Sequence, residues 1–162
     1  AEQVRHVTAR LARAAGTGQG LIAGQVMDLV AGGNMVEQAE LELIHRCKTG
    51  ALLEASVGIG AHLAEAEEAA MMSIAVYGCK VGLAFQIVDD ILDETASSDS
   101  LGKTSGKDRK QRKATYPSLH GIEVSRRMAS NITAQARESA RTLGDRAELL
   151  VDIANYLENR LN

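Results

Sequence analysis

The sequence predicts an all-α fold, and three observations carry that prediction. Aromatic residues are 2% of the 162 and proline occurs once, at Pro117; a sheet protein ordinarily has more aromatic residues in its strands and more turn prolines. Alanine, leucine, glutamate and arginine, all good helix formers, dominate instead. The apolar residues also recur at three- and four-residue spacing, the period of a helix with one buried face. At 45% hydrophobic and 24% charged the composition is that of a globular domain, and the length is enough for one core.

The elements follow in order. Between Glu2 and Ala15, Val4, Val7, Leu11 and Ala14/Ala15 fall at helical spacing, and the stretch Gly16 to Gly20 breaks it. A second helix runs from Leu21 to Val30 and stops at Ala31-Gly32-Gly33-Asn34. A third segment, Glu37 to His62, has Leu41, Ile44, Leu52 and Val57 among its apolar positions, and Ala64 to Glu67 reads as a break. Glu68 to about Glu94 is the longest run. Its middle, Val81 to Val88, is apolar on nearly all sides, which marks a buried helix. Thr95 to Arg112 is polar and rich in Ser, Gly and Lys, so it reads as a long loop closed by Tyr116-Pro117. Two amphipathic helices, Ile122 to Leu143 and Arg146 to Leu161, complete a helical bundle.

Several function classes recede. The net charge of −3 gives no overall nucleic-acid signature. Cys47 and Cys79 are too few for a disulfide framework and suggest a reducing compartment. No apolar run approaches the ~20 residues that span a bilayer. The chain opens inside a helical pattern without a methionine, so a further N-terminal segment is expected.

The chemistry centres on Asp89-Asp90-Ile-Leu-Asp93. Residues four apart share a helix face, so Asp89 and Asp93 stack with Asp90 alongside. Their repulsion weakens the helix, and a divalent cation would reverse the sign of that term; open carboxylate clusters suit Mg²⁺. A solvated acidic patch would show the same spacing. The buried helix that precedes it favours acids lining a cavity. The basic segment that follows, Gly102-Lys103-Thr-Ser-Gly106-Lys107-Asp108 with Lys110, Arg112 and Lys113, alone would be a mobile surface loop. Beside Asp89 and Asp93 it becomes a candidate Mg²⁺–diphosphate site, with Asp108 as a further ligand. Gln86, one turn before the acids, is either a satisfied core amide or an uncharged dipole facing a cation in that cavity. Lys48-Thr49 on the third helix and Gln25/Asp28 on the second would bring polar groups to the same interior.

These residues together resemble the trans-isoprenyl (polyprenyl) diphosphate synthases of farnesyl and geranylgeranyl type. Five stretches carry the resemblance in order: Gly24-Gln25-Val-Met-Asp28, His45-Arg-Cys-Lys48-Thr49-Gly50-Ala51-Leu52, Gly82-Leu-Ala-Phe85-Gln86-Ile-Val-Asp89-Asp90-Ile-Leu-Asp93, Gly102 to Asp108, and Lys113-Ala-Thr-Tyr116-Pro117. The resemblance implies that residues 1–162 are the C-terminal half of one polyprenyl synthetase domain with the isoprenoid synthase helical fold. It implies a Mg²⁺-dependent prenyltransferase (Mn²⁺ as the other candidate ion) that joins isopentenyl diphosphate to dimethylallyl, geranyl or farnesyl diphosphate. Asp89 and Asp93 would bind the metal, with Asp90 hydrogen-bonding around it. Lys48 and Lys103 would hold the allylic diphosphate. Thr49 and Gln86 would face the allylic cation, Phe85 would pack by the isopentenyl site, Lys113 would sit at the entrance, and Gln25 and Asp28 would line the cavity.

The family's first aspartate-rich motif and its isopentenyl-binding basic segment belong upstream of residue 1, so this segment alone is expected to be inactive. The wording of the Gly102 and Lys113 stretches is slightly nearer geranylgeranyl than farnesyl synthases. The resemblance further implies a homodimer, in the cytoplasm or, with a lost transit peptide, in a plastid. Two other readings remain: a non-catalytic synthase-like subunit of a heteromeric enzyme, against which the intact Lys48, Gln86, Asp89, Asp93 and Lys103 argue, and an all-α terpene cyclase or head-to-head condensing enzyme, which would not be expected to keep the Gly102 and Lys113 patterns.

Overall fold

A computed structural model describes residues 1–32, 34, 36–101 and 114–161, with the backbone course alone for 97–101. Among the described residues there is helix and no strand, as the composition predicts. The helices are α1 (Glu2–Ala15), α2 (Leu21–Ala31), α3 (Gln38–His45), α4 (Ala51–Leu63), α5 (Glu68–Leu101), α6 (Tyr116–His120), α7 (Ile122–Arg141) and α8 (Glu148–Asn159). A π-helical turn, Arg46–Gly50, joins α3 to α4, and a short 3₁₀ turn, Asp145–Ala147, precedes α8.

Helix α5 is the axis of the bundle and packs against α4 and the π turn on one flank and α7 on another. Tyr77, Val81, Ala84, Ile87, Val88 and Ile91 are buried along it, each large aliphatic contributing about 2 kcal/mol by burial. Two apolar clusters divide its length. One joins Ile87, Val88 and Ile91 to Leu41 and Ile44 of α3, Tyr116 of α6 and Ala129 of α7. The other sets Tyr77, Val81 and Ala84 against Ala136, Ala140, Ala154 and Leu157, where small side chains let α7 and α8 approach closely. Glu68–Ala96 is long and apolar enough to cross a membrane by length and composition alone, and Tyr77, Val81, Ala84, Ile87, Val88 and Ile91 within it pack against neighbouring helices, as in the core helix of a bundle.

Two boundaries differ from expectation. The segment predicted as one helix over Glu37 to His62 is interrupted by the π turn, where the Ala51 N–H bonds back to the Arg46 carbonyl five residues earlier. Helix α5 also continues to Leu101 through the start of the predicted loop. Thr95 shows why: its hydroxyl donates to the carbonyls of Ile91 and Leu92, both at 3.0 Å, so a side chain of a type that competes with helix hydrogen bonds is satisfied within the helix. An established helix extends at little cost.

At the other boundary α6 begins with a reciprocal cap. The Ser118 N–H donates to Thr115 Oγ1 at 3.2 Å and the Thr115 N–H to Ser118 Oγ at 2.9 Å, with Pro117 in the first turn, where it costs no hydrogen bond. Gly121 then turns the chain into α7 at φ 79°, a conformation glycine adopts without strain.

Candidate active site

The site is built on an antiparallel pairing of α3, the π turn and α4 with α5. Three contacts set its register: Glu54 lies against Gly78, Gly50 against Gly82, and His45 against Asp90. A Cβ on Gly82 would stand 2.8 Å from the Gly50 Cα, so two glycines are what let the backbones meet. On the turn's other side a Cβ on Gly24 of α2 would stand 2.2 Å from the Lys48 nitrogen. The turn is thus held between α2 and α5, and π turns of this kind concentrate at functional sites. Lys48 and Thr49 fall opposite the α5 stretch between Gly82 and Asp90, which carries Phe85 and Gln86.

Lys48 is fixed by Asp28 of α2, with Nζ 2.5 Å from Oδ2 and both side chains mostly buried. The ammonium has three donors, so two remain for an anion. Gln25, one turn before Asp28, is exposed on α2. Thr49, Phe85 and Gln86 are all partly buried.

On α5 the stripe Gly82, Gln86, Asp89, Asp93 follows the helical repeat. The Asp89 side chain is 48% exposed and Asp93 is exposed. Arg160, just past α8, reaches back to this stripe: Nη2 is 3.9 Å from Asp89 Oδ1, and its guanidinium lies over the Phe85 ring at 5.7 Å. Nothing in the sequence spacing announced Arg160, because only the return of α8 brings it near.

Asp90 departs from the expected metal set. It is 5% exposed, and its Oδ2 lies 3.1 Å from His45 Nε2 and accepts from the Tyr116 N–H at 3.0 Å. The next residue on a helix is rotated by about 100°, which carries Asp90 off the outward stripe into the core. A buried acid must be hydrogen-bonded there. The structure therefore groups Asp90 with His45 and Tyr116, not with Asp89 and Asp93. Burial first, and then the negative charge of Glu42, pushes the Tyr116 hydroxyl well above the ordinary tyrosine range. Lys103, Asp108 and Lys113 lie outside the described residues.

Asp89 and Asp93 fit a hard divalent cation. Among the described residues no group of three or more His, Cys, Asp or Glu is arranged to hold a metal, so the two acids form an open pair. Mg²⁺ suits an open pair, since it keeps several waters and takes its remaining ligands from phosphate oxygens. A separate groove of about 640 Å³ between α1, the π turn, α4 and α5 is lined by Arg10, Arg13, Arg46 and Glu54; none of the candidate catalytic, metal or substrate residues lines it.

The chain is similar to known proteins in sequence and in fold. A dimethylallyltranstransferase of Fischerella ambigua (strain UTEX 1903) is 42% identical over 99% of the chain and 46% of its own length. A geranylgeranyl diphosphate synthase of Cyanophora paradoxa is 42% identical over 100% of the chain and 54% of its own. The chain thus spans about half the length of the curated relatives it matches. Among solved structures, a decaprenyl diphosphate synthase from Rhodobacter capsulatus superposes with a TM-score of 0.83 at 27% identity, over 99% of this chain and 62% of that one. An FPP/GFPP synthase from Zymomonas mobilis superposes at 0.80 and 28% identity, over 96% and 51%. The polyprenyl synthetase family model matches residues 5–150, and the chain, with its Lys48 turn set against the acidic end of α5, belongs to that family.

Proposed function

We propose that the protein to which these residues belong is a Mg²⁺-dependent short-chain isoprenyl diphosphate synthase. It would condense isopentenyl diphosphate with an allylic diphosphate to give geranylgeranyl or farnesyl diphosphate. The observation that supports this best is the antiparallel register of the π turn on α5, which sets Lys48 and Thr49 opposite Phe85 and Gln86, one turn from Asp89. On this reading residues 1–162 are part of a single synthase domain.

Asp89 and Asp93 would hold Mg²⁺, which when bound supplies positive charge to the departing diphosphate. Lys48, positioned by Asp28, and Lys103 bind the allylic diphosphate oxygens and neutralise the charge that develops as the C–O bond breaks. Thr49 and Gln86 offer neutral dipoles to the allylic cation, stabilising it without the risk that a stronger nucleophile would capture it. Phe85 packs beside the isopentenyl chain, Gln25 lines the cavity, Asp108 adds a carboxylate and Lys113 stands at the entrance. The isopentenyl double bond attacks the cation, and the proton lost afterwards passes to the released diphosphate. The enzyme acts as a homodimer. Its compartment is the cytoplasm, or a plastid, which the chloroplastic name of a Catharanthus roseus relative makes worth testing.

The test is a product-length assay on the full-length protein with radiolabelled isopentenyl diphosphate and each allylic partner. Activity is expected to vanish on chelation and return with Mg²⁺. Asp89→Ala or Asp93→Ala should lower turnover about 10²–10³-fold, the range for loss of one group that stabilises developing charge. Undiminished turnover in both variants would remove the metal assignment.

A further inference from the structure

We infer that Asp90 is a positioning residue: its buried carboxylate fixes the register of the Lys48–Thr49 turn against the outward-facing Asp89 and Asp93. The inference rests on the functional reading above, because it assigns those residues their purpose.

The carboxylate oxygen Oδ2 joins three elements at one atom. His45, 3% exposed, ends α3 and immediately precedes the π turn. Tyr116, fully buried, opens α6 and donates its backbone N–H to Asp90. The two rings stack on each other with centroids 5.7 Å apart and planes 16° from parallel. A carboxylate oxygen only accepts, so in this pairing the imidazole is the donor, through Nε2.

A metal at this oxygen would displace two donors in the core and leave them unpaired. Mg²⁺ would also have to shed its water to enter. Asp89, by contrast, is half exposed. Two contacts flank Lys48 and Thr49 where this segment meets α5: the Gly50–Gly82 approach and the His45–Asp90 bond. They lie about two helical turns apart, with Lys48 and Thr49 between them. Releasing one frees the turn to pivot about the other, and Lys48 moves relative to Asp89.

The experiment compares Asp90→Asn, His45→Phe and Asp93→Asn in the full-length enzyme. His45→Phe keeps a ring on Tyr116 while removing the donor. Two readouts are thermal: the metal-free Tm, and the rise in Tm produced by Mg²⁺ with inorganic pyrophosphate. The third is the KM for the allylic substrate. Asp90→Asn and His45→Phe are expected to lower the metal-free Tm by a few degrees, to keep most of the ligand-induced rise, and to raise the allylic KM about tenfold. Asp93→Asn is expected to keep its metal-free Tm and lose most of the rise.

The inference is overturned if Asp90→Asn behaves like Asp93→Asn. Should Asp90→Asn fail to fold, His45→Phe decides, since an unchanged allylic KM there sinks the link to the Lys48 turn. A wild-type protein with no ligand-induced rise would sink the functional reading instead; the metal-free Tm values would still report on Asp90, and a Tm unmoved in both network variants would overturn its role.

Discussion

Lys48 and Asp28 show how little separates a structural contact from a functional one. Their ion pair is mostly buried, with Nζ 2.5 Å from Oδ2, so removing one partner strands the other. Lys48→Met is expected to raise the allylic KM strongly and, by leaving the Asp28 carboxylate unpaired, to destabilise the fold by about 1–3 kcal/mol. Asp28→Asn keeps the shape and a hydrogen-bond acceptor for Lys48, so a smaller loss in both readings is expected. Equal losses in steady-state kinetics and chemical denaturation would mean that Asp28 does more than hold the lysine. In the core, Ile87 and Ile91 are fully buried. Ile87→Ala should cost about 2–5 kcal/mol through lost burial and the cavity left behind, read as a lower denaturation midpoint with an unchanged slope.

At the scale of the element, the π turn depends on glycines that belong to other helices. Alanine in a helix is favoured over glycine by about 1 kcal/mol, so Gly24→Ala and Gly82→Ala would stabilise α2 and α5 in isolation. The packing decides otherwise. The added methyls would stand 2.2 Å from the Lys48 nitrogen and 2.8 Å from the Gly50 Cα. Both neighbours are backbone, so helices must separate, at about 1–3 kcal/mol for overpacking of this kind. Gly24→Ala is expected to lower stability and turnover together, because the clash falls on Lys48, the residue proposed to bind diphosphate. Gly60→Ala is the control: nothing lies within 4 Å of its added carbon, and a gain of a few tenths of a kcal/mol or more is expected.

For the whole molecule, two buried tyrosines set the response to alkali. Burial pushes the Tyr77 hydroxyl from 10.0 up to about 12, and that hydroxyl donates to the Leu150 carbonyl at 2.8 Å, joining α5 to α8. A group whose pKa is higher folded than unfolded gives its full stabilisation below the unfolded value. It loses that stabilisation as pH rises through the folded one. Stability is therefore expected to hold up to pH 10 and to fall between 10 and about 12, measured by denaturant unfolding at stepped pH. Tyr77→Phe should be less stable at neutral pH, since Leu150 loses its donor, yet show a shallower alkaline decline. Residues 1–162 expressed alone are expected to show no condensation with both substrates and Mg²⁺, because they span about half the length of the curated relatives they match; turnover by the verified segment would contradict this.

The sequence by itself determined the helices, the buried middle of α5 and the family. Those follow from local facts: helix-forming residues, apolar spacing and five ordered motifs. That Asp89 and Asp93 share one face was legible for the same reason, since residues four apart on a helix do so whatever surrounds them. Only the tertiary structure decided which way Asp90 turns. The sequence shows three aspartates in one motif, and the partners that claim the middle one, His45 and the Tyr116 N–H, are remote in the chain. The π turn was equally hidden, because it depends on the approach of Gly24 and Gly82 from α2 and α5. Arg160 reached Asp89 and Phe85 only through the fold of α8. Each of these hinges on a contact between distant segments, and a periodicity confined to one segment contains no information about which neighbour will lie against it.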